Sequence, residues 1–332
     1  MTTIRRTWGY GMGHFYRALA ATFSVLALVG LAGCNGESDE QTSKKAAVES
    51  SSASSQTELA KSNAYITAAN ESSGMFARAL ASYQDVIAPK LSSNRPLETY
   101  TVVPVQQLTK VRTRLDAAGA MEGSIPELDP AARDYAAAIA AFEPVNNGLS
   151  NYAQSKGFLT DGGAKARAED QAYVEALTKV VDAEKVFFEK IEARDERLMR
   201  EAYEKAPEGS AARYRAGIVL RSKAAMKKVV TVFSEPDDIA TRKAFADDLN
   251  DMADLVEKWD RAVRAEKPDG CPALQNSFNS VIADGRKAIQ SAEKGRFSPA
   301  SGTPSSVIQS EFSILQQNFS MMILRLNQPF FC

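Results

Sequence analysis

From residue 59 onward apolar residues recur at spacings of three and four, the interval that returns to the same side of an α-helix. The first such stripe runs through Leu59, Ile66, Ala69, Phe76, Leu80, Tyr83 and Ile87, and Pro89 predicts its end. A second helix is predicted over about 103–121, with Leu108, Val111 and Leu115 on one line. A third opens at "LDPAARDY", where Asp129 suits a cap and Pro130 a first helical position, and it continues through Tyr135, Ile139, Phe142, Leu149 and Tyr152 to Gly157. Pro144 predicts a kink in it. The longest stripe, Ala164 to Ala206, carries Tyr173, Leu177, Val180, Phe187, Ile191 and Leu198 with no proline or glycine, and predicts a helix roughly 60 Å long. Four more are predicted, over about 210–233, 237–266, 272–294 and 304–326. The best strand signal is "YTVVPV" at Tyr100–Val105, and Pro104 weakens it. These patterns predict an all-α fold, an elongated bundle of antiparallel helices.

Before Leu59 the pattern changes. Arg5, Arg6 and Arg17 precede an uncharged, largely apolar stretch, "ALAATFSVLALVGLAG" from Ala18 to Gly33, with no acidic residue before Cys34. Basic, then apolar, then small is the order of an export signal, and the stretch is shorter than the roughly 20 apolar residues that a spanning helix needs. Leu31, Ala32, Gly33 and Cys34 resemble the lipobox of bacterial lipoproteins. That resemblance implies cleavage before Cys34, a diacylglycerol on its thiol and an acyl chain on its freed amine. Several acyl chains hold a protein stably on a membrane where one holds it only marginally. Asn35 stands where an aspartate marks inner-membrane retention in enterobacterial-type sorting, so the resemblance favours the outer membrane, facing the periplasm. From Asn35 to Ser62 the chain is polar and rich in serine, with too little apolar surface to offset its ordering entropy, and is expected to be a flexible tether. The expected organisation is a cleaved signal over 1–33, an acylated tether over 34–62 and a helical domain over 63–332.

Composition narrows the chemistry. The net charge is −1, and about −4 once the three leader arginines are removed, which gives no basic surface for nucleic acid. The single histidine, His14, lies in the leader. A chain without histidine downstream has no Ser-His-Asp or Cys-His triad, no HExxH zinc site and no His-ligated haem. With Cys34 assigned to lipid, Cys271 and Cys332 remain. In an oxidising envelope they read as a disulfide pair, with two free thiols or an intermolecular bond as alternatives.

"KSNAYITAANE" at Lys61–Glu71 and "NYAQSKGFLTDGGAKA" at Asn151–Ala166, followed by the long charged helix, resemble the YiiG-like family of bacterial lipoproteins over about 61–233. The resemblance implies a helical envelope domain and brings no catalytic residues.

Four constellations have both a chemical and a structural reading. Asp247, Asp251 and Asp254 share a predicted helical face and offer oxygen ligands to a hard cation such as calcium, or form a solvated face opposite Leu249, Met252 and Val256. Ser291 and Lys294 have Ser-x-x-Lys spacing without its companion motifs. Arg221, Lys223, Lys227 and Lys228 either meet an acidic partner or headgroups, or form the outer face of their helix. Tyr65, Tyr135, Tyr152 and Tyr173 either line a pocket or fill the core. The expectation is a non-enzymatic binding or structural module without a cofactor, held to the membrane through Cys34 and engaging a protein or cell-wall partner. A carboxylate-based hydrolase and a small-molecule or metal-binding protein are the alternatives.

Overall fold

The computed structural model describes residues 41–93 and 95–328; Leu31, Ala32, Gly33, Cys34 and Cys332 lie outside the described residues. Helices dominate and no strand occurs among the described residues, so the fold is the all-α bundle that the periodicity predicts. The chain divides into two compact units, with the boundary between Glu192 and Ala193. That boundary falls within the stretch, 63–332, expected to be one helical domain.

The first unit contains α1 (Gln41–Ser72), α2 (Met75–Ser82), a π-helical turn (Tyr83–Ile87), α3 (Ala88–Ser92), α4 (Val105–Ala120), α5 (Asp129–Gln154), α6 (Gly157–Asp161) and the first part of α7 (Ala164–Lys205). Helix α1 packs against α4, and α4 against α5. It starts inside the stretch expected to be a tether, but the first buried one among its described side chains is Lys61, so packing begins where the apolar pattern does.

The helix expected over Leu59–Pro89 is broken rather than continuous. Ser73 and Gly74 adopt positive φ (41° and 67°) between α1 and α2, and the chain then passes through a π turn in which the Ala88 N–H donates to the Tyr83 carbonyl. That turn restarts the helix at Ala88. Pro89 therefore falls in the first turn of α3, where its missing N–H costs nothing, and the helix continues past it to Ser92.

"YTVVPV" is extended at its end without being a strand. The Val103 N–H donates to the Tyr173 hydroxyl at 3.2 Å and its carbonyl accepts from Asn146 Nδ2 at 3.0 Å, so side chains take the place of a neighbouring strand. Pro104 then leads into α4. Pro144 lies inside α5, which runs on to Gln154.

The second unit holds the end of α7, α8 (Ala211–Ser234), α9 (Ile239–Glu266), α10 (Pro272–Glu293), a short 3-10 turn (Pro299–Ser301) and α11 (Ser305–Leu326). Ser210 and Asp238 cap α8 and α9 by accepting from the backbone N–H groups of Arg213 (3.2 Å) and Thr241 (3.0 Å). Helix α9 packs on α8 and α10, and α10 on α11. The core is aromatic: Phe233 stacks on Phe297 at 4.4 Å and meets Phe312 edge-on at 5.3 Å, and Trp259 meets Phe278 at 5.2 Å. Gly285 allows α10 to approach α9, because a Cβ there would lie 2.7 Å from Leu249 Cδ1.

Candidate functional site

The first unit concentrates its polar chemistry on buried tyrosines. Lys61 and Tyr65 lie one helical turn apart on α1 and both face Asp129 at the start of α5. The Tyr65 hydroxyl donates to Asp129 Oδ1 at 2.7 Å, Lys61 Nζ lies 3.1 Å from the same oxygen, and the Ile125 N–H donates to Oδ2 at 2.9 Å. Lys61 also donates to the Gly123 carbonyl at 2.9 Å. Asp129 thus reaches back to the loop before its helix instead of capping forward, because three donors converge on it from that side. Burial works against the charge on Asp129, and the Tyr65 hydroxyl, the Ile125 N–H and Lys61 outweigh it, so the carboxyl stays below its ordinary range. Burial and the same carboxylate push the Tyr65 phenol well up.

The pairing repeats along the unit. Tyr83 donates to Asp170 at 2.8 Å, Tyr135 to Glu184 at 3.2 Å and Tyr152 to Asp161 at 2.5 Å. The rings join two aromatic chains, one linking Tyr65, Phe187, Tyr135 and Phe76 and the other Phe142, Tyr173, Tyr83, Tyr100, Tyr152 and Phe158. Tyr65, Tyr135, Tyr152 and Tyr173 are therefore core side chains with their polar ends satisfied, and of the two readings open to them the core one holds. Such pairs suit fixation of helices. Where the carboxylate is held low and the phenol high, as in Asp129 with Tyr65 and Asp161 with Tyr152, no proton is exchanged near neutral pH.

In the second unit α8 is tied on both flanks by ions. Lys223 pairs with Asp195 and Lys227 with Glu196 (2.9 Å) on the end of α7, while Lys228 pairs with Asp248 (2.5 Å) and Arg221 with Asp251 (3.1 Å) on α9. The basic run is thus taken up by helix-to-helix contacts.

The remaining candidates do not converge. Asp247 accepts from Lys243 at 2.8 Å and Asp251 faces Arg221, so two of the three carboxylates already meet cations. Among the described residues no group of three or more His, Cys, Asp or Glu side chains is placed to hold a metal ion. Ser291 donates to Glu311 Oε2 at 3.1 Å, whereas Lys294 is exposed at the end of α10, so the pair forms no nucleophile and base. Cys271, buried just before α10, is disulfide-bonded.

A family model described as a protein of unknown function, DUF3829, matches residues 56–328. The chain belongs to this family. The DUF3829 match extends past 233, where the sequence resemblance ended, and takes in both units. No curated protein and no solved structure matches the chain. The residues that sequence reading missed are the acids opposite the tyrosines. Asp161, Asp170 and Glu184 look like ordinary helix charges, and Asp129 like a cap, until folding brings them to hydroxyls nine to 87 positions away.

Proposed function

We propose that this DUF3829 chain is a lipid-anchored, periplasm-facing lipoprotein of the outer membrane whose helical region is a non-enzymatic binding or structural module of the cell envelope. The anchor rests on Leu31-Ala32-Gly33-Cys34 behind a basic and apolar leader. The observation that carries the non-enzymatic reading is the engagement of the buried carboxylates. Asp129 is held by Tyr65 and Lys61, Glu184 by Tyr135, Asp195 by Lys223 and Asp248 by Lys228. A carboxylate hydrolase needs one acid with a raised pKa facing a second across a cleft, and paired acids of this kind serve it poorly.

Feeding cells an alkyne analogue of palmitate tests the anchor. Label on the full chain that disappears in Cys34→Ala is expected; unlabelled wild-type chain overturns it. Crosslinking in cells with mass spectrometry tests the module. A stoichiometric protein or cell-wall partner absent from a matched lipoprotein control is expected, and a blank turns attention to the hydrolase alternative.

A further inference from the structure

Helix α1 is held to the first unit by few large apolar side chains. Seven of its described side chains are buried; Lys61, Ser62 and Ser72 among them are polar, and of the other four only Tyr65 and Ile66 are larger than alanine. Past the break at Ser73 and Gly74 the buried side chains grow, with Phe76, Tyr83, Ile87 and Leu91 among them. The polar contacts of α1 gather on carboxylates. Its Glu71 meets Lys110 and Arg114 of α4 at the solvated edge, while its Lys61 and Tyr65 both meet Asp129 of α5 inside. Among the described residues Asp129 is the one acid that pairs with Lys61, whose side chain is 4% exposed.

We propose that α1 is an acid-released strap, which lifts off the first unit as one piece about Ser73 and Gly74 while the rest of the unit stays folded. The trigger is the Asp129 carboxyl. It is faced by Lys61 and Tyr65 from α1 and by the Ile125 N–H and the Ser124 hydroxyl (3.4 Å) from the preceding loop, with Arg133 of α5 near enough to act on Tyr65. Protonation as pH falls below about 4 removes the counter-charge and leaves the Lys61 ammonium buried against the Gly123 carbonyl. A buried cation without its acid is costly, and lifting the helix that carries it returns it to water. Little apolar surface opposes this, so α1 has the features of a unit that opens below the global unfolding limit. Glu71 only loosens the edge, because Lys110 and Arg114 stay solvated without it. Where Cys34 carries lipid, α1 is the element that joins the body to its anchor, and its release lets the body stand farther from the membrane. That consequence rests on the lipoprotein reading, and the release itself does not.

Spin labels on Asn63→Cys of α1 and Ala137→Cys of α5, in the full chain, report the strap, and labels on Ala117→Cys of α4 and Ala137→Cys report the rest of the unit; all three positions are exposed. Double electron–electron resonance on samples frozen between about pH 7 and about pH 2.5 is expected to show the first distance lengthen at a pH where the second is unchanged. Asp129→Asn, neutral at every pH, is expected to lengthen the first distance already at neutral pH. Lys61→Met has no cation to strand and is expected to keep α1 docked through the acid range. Both distances changing together, neither changing, Asp129→Asn docked at neutral pH, or Lys61→Met releasing at the same pH as the wild type each overturns the proposal. These distances read the release whether or not Cys34 is acylated.

Discussion

The Tyr65 hydroxyl donates to Asp129 at 2.7 Å, on the oxygen that Lys61 approaches at 3.1 Å, so one carboxylate joins α1 to α5 through a neutral and a charged donor. The two donors have different costs of removal. Tyr65→Phe deletes a hydrogen bond to a charged group and is expected to lower stability by about 2 kcal/mol. Asp129→Ala leaves the Lys61 ammonium buried without its counter-charge and is expected to cost about 3–5 kcal/mol. Urea denaturation of both variants checks the order; equal, sub-kilocalorie losses would mean that the trio does not hold the helices together.

The same network sets how stability depends on pH. Asp129 lies below its ordinary range in the folded chain, so its contribution is complete above about pH 4 and is lost as pH falls through the folded value. Glu196, held low chiefly by Lys227, acts in the same direction. The tyrosines work at the other end. Burial raises Tyr65, Tyr83, Tyr135 and Tyr173 and pushes Tyr100 up to about 12, so their contribution is complete below about pH 10 and is lost as pH rises. No histidine follows His14 to titrate between these edges. The expected outcome is a urea midpoint that stays flat from about pH 5.5 to 9 and falls on both sides. A step near pH 6.5 would contradict it.

Two ion pairs that look alike on α8 are expected to differ in value. Lys223 and Asp195 have side chains 12% and 9% exposed, whereas Lys227 and Glu196 are 43% and 44% exposed. Lys223→Ala leaves Asp195 buried with its lysine gone and is expected to cost about 3 kcal/mol. Lys227→Ala removes a solvated pair and is expected to cost less than about 1 kcal/mol, and less still in high salt. Thermal denaturation at two salt concentrations separates them.

What the sequence made legible follows from the range of the forces involved. Helices α7 to α11 lie within one or two residues of the spacing-based expectation, because an apolar stripe repeats locally and caps such as Ser210 act over three residues. The π turn before Pro89 leaves no local signal in the apolar spacing; it begins at Tyr83, whose hydroxyl meets Asp170 87 positions away. Asp129 was read as a cap because the local signal is right for one; Lys61 and Tyr65 redirect it from 64 or more positions upstream. Arg221, Lys223, Lys227 and Lys228 read as a basic face until their acids on the flanking helices are placed.

With Cys34 proposed to carry lipid, the partner we propose for the disulfide of Cys271 is Cys332. Peptide mapping without reduction is expected to recover the two peptides joined. Reduction opens a loop of about 60 residues and is expected to cost roughly 4 kcal/mol on the chain-entropy estimate. A Cys271 peptide joined to anything else would remove this pairing.

The contact of α9 with α10 depends on a missing side chain. Gly285 lies in the middle of α10, where glycine weakens a helix by about 1 kcal/mol relative to alanine, so its presence has to be offset by packing. The neighbours supply the reason: a Cβ would sit 2.7 Å from Leu249 Cδ1 and 3.2 Å from Phe245 Cζ, both from buried side chains of α9. Leu249 is itself fully buried, so it has little free space to move into. Gly285→Ala is therefore expected to lose on packing most of what it gains in helix propensity and to change stability by less than about 1 kcal/mol. Gly285→Val adds two more methyl groups to the same gap and is expected to cost about 1–3 kcal/mol. Gly148, on α5, is the control, since a Cβ there would meet nothing within 4 Å. Gly148→Ala is expected to stabilise by about 0.5–1 kcal/mol. If Gly285→Val matched Gly148→Ala in urea denaturation, the α9–α10 contact would be looser than the structure has it.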